Sequence, residues 1–173
     1  MAAPQYIVLG RHRDLEGRQR DPWARRVLLG LLGLVCLLGL LDLFGQFSGT
    51  IHAAPSRAEL SVSAPTRVRS GLLYTARFEV RARASIKQAW LVLDKGWFEN
   101  VQVNSYVPQP VSQASRDGRV AFELGHIPAG HSYVFYLQFQ LNPTDLGHRS
   151  ENVELDDGTQ RIVRIQRTAT VYP

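Results

Sequence analysis

Hydrophobic and polar positions follow two different grammars along this chain. From 27 to 41, fifteen consecutive residues are apolar or glycine, and beyond Asp42 the pattern continues through Leu43, Phe44 and Phe47. A helix over 27–47 would be about 31 Å long at roughly 1.5 Å per residue, close to the hydrocarbon thickness of a bilayer. Its start is marked by Asp21 as N-cap, Pro22 at the first helical position, and Trp23, Arg25 and Arg26 as membrane-interface anchors. A transmembrane helix with its cytoplasmic entry turn is therefore predicted over 22–47. A buried core helix would need a surrounding core that a chain of 173 residues can hardly supply on every side.

From about residue 58 the pattern changes to short alternating runs separated by turn residues. Strands are predicted at 59–63, 73–80, 86–93, 97–103, 120–124, 133–141, 152–155 and 162–165, with 168–172 as a continuation. In 86–93, Ala89, Leu91 and Leu93 oppose Trp90 and Val92, and Trp90 is expected at the centre of the core. Asp117-Gly118, Pro128-Ala129-Gly130 and Asp156-Asp157-Gly158 supply turns, while 104–116, with Pro108 and Pro110, reads as loop or edge. Such spacing fits an antiparallel β-sandwich of immunoglobulin type over 58–173, with an open or partly closed barrel as the alternative pairing. Residues 48–57 lack clear periodicity and read as a linker. Residues 1–21 hold one short apolar run and alternating charges, and read as a solvated cytoplasmic tail.

Composition changes this picture at three points. The chain carries 20 Lys and Arg against 15 Asp and Glu, but residues 1–26 and 48–173 contribute only +3 each, so no phosphate-tracking surface results and no nucleic-acid partner is expected. The single cysteine, Cys36, excludes an intrachain disulfide or a Cys-based metal centre. Six Arg precede the apolar segment and the first cation after it is Arg57, which keeps the N-terminus cytoplasmic and the β-region outside the plasma membrane. A cleaved signal peptide is the rival reading. Its apolar region would be unusually long, and the site at His52-Ala53-Ala54 lacks a small residue at the right offset and is followed by Pro55. An uncleaved signal anchor is expected.

The run Leu124-Gly125-His126-Ile127-Pro128-Ala129-Gly130-His131-Ser132-Tyr133, then Gly147, then Asn152-Val153-Glu154-Leu155, resembles the second half of the immunoglobulin-like repeat of many bacterial surface proteins of unknown function. Gly71, Tyr74 and Phe78-Glu79-Val80 match its first half more loosely. The resemblance covers about 60–156 and rests on turn chemistry. It implies the fold and a surface location, and no activity. This chain departs from the usual tandem array in carrying one copy on an N-terminal anchor. The combined expectation is a single N-terminal transmembrane α-helix followed by an all-β immunoglobulin-like antiparallel sandwich.

Catalytic signatures are missing from the sequence: there is no nucleophile elbow, phosphate-binding glycine loop, His-Glu-x-x-His helix or calcium loop. His126 and His131 bracket a turn, with His148 as a third candidate ligand, but turn-flanking surface histidines are the simpler reading. Adjacent Asp156 and Asp157 should diverge and shape the turn. No catalytic residue, metal or cofactor is expected. Partner contacts are assigned to Asp42, which faces a polar neighbour or water at the outer end of the span, and to Gly33 and Gly39, which would admit a crossing helix. Trp97, Phe98 and Tyr106 beside the Pro-containing segment serve either as partner anchors or as a core cap. The expected function is a non-enzymatic accessory subunit that meets membrane lipid and an integral membrane protein. A cell-surface ligand- or glycan-binding module with Trp97 as stacking platform is the alternative, and a hydrolase assembled from distant loops is the third reading.

Overall fold

The computed structural model describes residues 21–41 and 48–173. The chain divides into two compact units, 1–45 and 46–173. In the first, helix α1 (Asp21–Leu40) runs 20 residues, about 30 Å. The segment Trp23–Leu40 is long and apolar enough to cross a membrane, and none of it is buried. Of the span expected at 22–47, the positions beyond Leu41 lie outside the described residues until Ser48, and Asp42, expected as a partner contact, lies there with them.

The second unit is a mostly antiparallel β-sandwich. One five-stranded sheet has the order β1 (Ser48–Ala53), β2 (Ala58–Pro65), β4 (Leu73–Ala82), β9 (Ser132–Leu141) and β6 (Val101–Val107). The other runs β12 (Gln160–Ile165), β11 (Val153–Asp157), β5 (Ile86–Leu93), β8 (Arg119–Ile127) and β7 (Ser112–Arg116). A small third sheet, β10 (Gly147–Ser150), β13 (Thr168–Tyr172) and β3 (Arg67–Arg69), contains the parallel pair β13–β3. Alternation aims Tyr74, Ala76, Phe78 and Val80 of β4 and Phe135, Leu137 and Phe139 of β9 at Leu91, Leu93, Phe122 and Leu155 of the facing sheet. One core lies between two separate sheets, so the pairing is that of a sandwich and not of a barrel.

Three sequence readings change. The stretch read as a linker, 48–57, includes β1, which pairs with β2 from Ser48↔Pro65 to Ala53↔Leu60; its small polar residues Ser48, Gly49 and Thr50 conceal an edge strand. The segment read as loop or edge, 104–116, resolves to edge: it holds the end of β6 and all of β7, each the last strand of its sheet. Finally, the centre of the core is occupied by Trp97, not Trp90. Trp97 packs on Phe78 and Phe139 with ring centroids 5.3 and 5.7 Å away.

Trp97 reaches the core because a 3₁₀ turn, Lys95–Trp97, folds the chain inward after β5. Gly96 permits this, since a Cβ there would overlap the carbonyl of Ser150. The turn is fixed by Asn152, whose amide donates to Asp94 Oδ2 at 2.7 Å while its carbonyl oxygen accepts from the Arg167 backbone N–H at 3.0 Å. The Asn152 backbone carbonyl accepts from Asp94 N–H at 3.1 Å. One side chain thus joins the end of β5, the start of β11 and the β12–β13 connection.

Candidate binding surface

In β5 and β11 the core-facing residues are Leu91, Leu93, Val153 and Leu155, so Trp90, Val92, Glu154 and Asp156 must face outward. Register places Trp90 beside Asp156 and Glu123, and Val92 beside Glu154 and Ala121. Trp90, Val92 and Ala121, with Ala114, form a second, small apolar cluster on this outer face. Arg116 lies across it, with its guanidinium carbon 3.9 Å from the Trp90 ring centre, Nη1 donating to Gly158 O at 2.8 Å and standing 3.6 Å from Asp156.

Glu154 sits at the middle of this face with its side chain only 5% exposed, approached by Arg119 at 2.7 Å, Arg164 at 3.3 Å and Arg161 at 3.5 Å. Three guanidinium groups offset the cost of burying one carboxylate. Burial pushes the Asp156 carboxyl above its ordinary range, and nearby Glu154 adds to this, while Arg116, Arg119 and Arg161 oppose it. Asp156 Oδ1 and Trp90 Nε1 have no hydrogen-bond partner among the described residues. A groove of about 490 Å³ opens here, lined by Arg116, Arg119, Arg161, Glu154, Asp156 and Thr159.

Chemically, this face offers forked guanidinium donors next to an indole. Arg161 and Arg164 are the more exposed, at 59% and 41%. Their long stems let them turn from Glu154 to an incoming carboxylate, for which planar guanidinium is well matched. Arg and Trp are also the residue types that dominate protein–protein hot spots.

A second polar cluster is sealed inside. Arg167 donates to Glu151 at 2.6 Å, to the carbonyl of Ala64 at 2.9 Å and to that of Pro65, and its guanidinium lies 5.0 Å from the Trp97 ring centre. Burial, and secondarily Glu151, push the Tyr74 hydroxyl well above its ordinary range. Arg149 pairs with Asp145 nearby. These groups hold β2 and the third sheet together.

The residues expected from sequence fall as follows. Trp97 is fully buried and cannot serve as a partner anchor or a glycan-stacking platform. Phe98 and Tyr106 are half-buried against Phe122, with ring centroids 6.3 and 5.7 Å away, so these aromatics cap the core. The reason is the inward 3₁₀ turn. Gly33 and Gly39 lie on α1 with nothing within 4 Å of an added Cβ, and Trp23, Arg25 and Arg26 are exposed on the same helix. His126 bonds with Ser85, His131 with the Ala129 carbonyl and His148 with Thr170, so the three histidines do not converge. Among the described residues no group of three His, Cys, Asp or Glu is placed to hold a metal. Asp156 and Asp157 diverge as expected: Asp157 turns to the amides of Lys87 and Gln88 and to Arg57.

No protein-family model matches the chain, the bacterial surface repeat included, and no curated protein matches it. Among solved structures, CaCohA2 from Clostridium acetobutylicum is similar at 13% identity and a TM-score of 0.47, covering 67% of this chain and 91% of its own. The chitin-binding domain of a hyperthermophilic chitinase from Pyrococcus furiosus is similar at 16% identity and a TM-score of 0.41, covering 66% of this chain and 100% of its own. A non-cellulosomal cohesin from Archaeoglobus fulgidus is similar at 12% identity and a TM-score of 0.41, covering 64% of this chain and 88% of its own. At this level the similarities carry no assignment of ligand or partner.

Sequence reasoning missed the arginine-rich face. A signal was present: Glu154 and Asp156, two apart in a strand, must share one face, and Val153 and Leu155 already claim the other. The arginines lacked such a signal. Arg116 and Arg119 flank a hairpin turn, and Arg161 and Arg164 lie on another hairpin, so only the β12-β11-β5-β8-β7 order brings them to one face, with Arg119, Arg161 and Arg164 on Glu154 and Arg116 on Asp156.

Proposed function

We propose that the protein is a non-enzymatic interaction module anchored in the plasma membrane by α1, with a cytoplasmic N-terminus and an extracytoplasmic β-sandwich. In this reading it acts as an accessory subunit that binds an acidic segment of an integral membrane protein. The observation that carries it is the outer face of β5, β8 and β11, where Arg116 covers Trp90 and three more arginines converge on Glu154 beside an open groove. The apolar, unburied segment Trp23–Leu40 supports the anchor.

Affinity purification of the full chain from native membranes, followed by mass spectrometry, tests the reading. Wild type should recover an integral membrane protein, and Arg161→Glu with Arg164→Glu should lose most of it while the domain stays folded. Equal recovery by the variant overturns the assignment of this face. Resistance of the full-length chain to carbonate extraction, at uncleaved intact mass, tests the anchor.

A further inference from the structure

The strand registers gather three features at one end of the sandwich. Ser48 pairs with Pro65, Leu73 with Gln140, and Leu141 with Val101, so the chain's entry into β1, the 70–73 turn and the 142–146 turn all lie at that end. It is also apolar on the outside: Leu72, Leu73 and Leu146 are 43%, 51% and 59% exposed.

These leucines are held out by structure. Leu141 N–H donates to the Leu72 carbonyl at 3.2 Å. Gly71 takes a φ of +75° with Pro143 packed 3.6 Å from where its Cβ would be, which binds the two turns together. Asn142 Oδ1 accepts from Thr144 N–H and Oγ1–H at 3.2 and 3.0 Å, and Asp145 is neutralised by Arg149. Exposed Arg67 and Arg69 lie on β3 just before the first turn. Leucines with flanking arginines suit the boundary between headgroups and acyl chains of an anionic leaflet, where apolar burial and cationic attraction add.

We propose that this end of the sandwich docks on the anionic lipid surface of the membrane in which α1 is anchored, with Leu72, Leu73 and Leu146 inserted and Arg67 and Arg69 on lipid phosphates. The inference rests on the anchor reading of α1. Connectivity favours this occupant: only six residues of sequence separate Leu41 of the apolar segment from Ser48, the first residue of the strand that opens this end. Docked in this way, the strands stand off the bilayer and the arginine-rich face looks sideways, toward a neighbour in the same membrane.

The test uses full-length protein carrying Cys36→Ala and one environment-sensitive fluorophore at a time, through Leu73→Cys, Leu146→Cys, Ala129→Cys at the opposite end, or Leu34→Cys within α1. Each is reconstituted in phosphatidylcholine–phosphatidylglycerol vesicles containing spin-labelled lipid. Quenching is expected at 34, 73 and 146 but not at 129. Omitting phosphatidylglycerol, or introducing Arg67→Glu with Arg69→Glu, should cut quenching at 73 and 146 several-fold and leave 34 unchanged. Quenching at 34 with 73 and 146 as dark to lipid as 129 overturns docking and leaves the anchor standing. Quenching at 73 and 146 without 34 supports docking and removes the anchor, and none at any site removes both.

Discussion

Arg167 donates to Glu151 across 2.6 Å inside the sandwich, and neither side chain is more than 2% exposed. Burial pushes the Glu151 carboxyl up to about 7, although Arg167 and Arg149 both pull it down. Between the ordinary glutamate range and pH 7 the folded chain therefore holds a proton that the unfolded chain has released. Stability should be greatest below that window, fall by about 3 kcal/mol as pH rises through 7, and level off above it. Urea midpoints measured from pH 4.5 to 8.5 check the sign. A rise across this interval would mean that the pull of Arg167 and Arg149 outweighs burial and holds the Glu151 carboxyl down.

Arg167→Met removes the guanidinium and leaves Glu151 facing a buried, uncompensated site. At pH 8 the loss should be about 3–5 kcal/mol. At pH 5 the carboxyl already carries its proton, so no buried charge is left unpaired, and the loss should shrink by about half or more. Chemical denaturation at the two pH values measures the difference, and equal losses would mean that Arg167 acts through its two carbonyl contacts alone.

Trp97→Ala opens a cavity among Phe78, Phe139 and the Arg167 guanidinium. A cost of about 3–5 kcal/mol is expected, with Trp97→Phe costing markedly less. Because Trp97 has no exposed surface, binding measured below the melting transition should be unchanged. Selective loss of binding without loss of stability would restore the interface role expected from the sequence.

The legible parts of this chain were those in which one residue type leaves one option. Fifteen unbroken apolar or glycine positions fall in a helix that is unburied among the described residues, and alternation in 73–80, 86–93 and 133–141 places three strands close to their observed bounds. The turn at Asp117-Gly118, with φ values of 51° and 70°, follows from the two residue types that tolerate left-handed backbone. β1 was hidden, and β7 was left between loop and edge, because edge strands with one free side need few apolar residues, and Ser112–Arg116 has only Ala114 to bury. Trp90 and Trp97 exchanged roles for a related reason. Alternation fixes which residues oppose one another within a strand, but which face meets the core depends on the partner sheet.

Gly96 and Gly130 separate two reasons for needing glycine. Gly130 has a φ of +81° and open space around an added Cβ, so Gly130→Ala should cost about 1 kcal/mol of backbone strain. At Gly96 the added carbon meets the Ser150 backbone carbonyl, so Gly96→Ala must displace β10 and with it the Asn152 junction. A melting-temperature loss several times that of Gly130→Ala is expected. Comparable losses would show that the β10 segment yields without cost.

Glu154 competes internally for the same guanidinium groups that the proposed partner would use. Replacing it by Gln keeps the shape and removes the charge shared by Arg119, Arg161 and Arg164. Stability should fall by about 1–3 kcal/mol, because three cations lose a buried counter-charge. Capture of an acidic partner should move the other way, becoming stronger and more sensitive to salt, since the released arginines gain more from an incoming carboxylate. Native pull-down with the full-length Glu154→Gln chain, at low and high salt, reads both effects. Weaker capture at low salt would mean that Glu154 orders the arginines for recognition and does not restrain them.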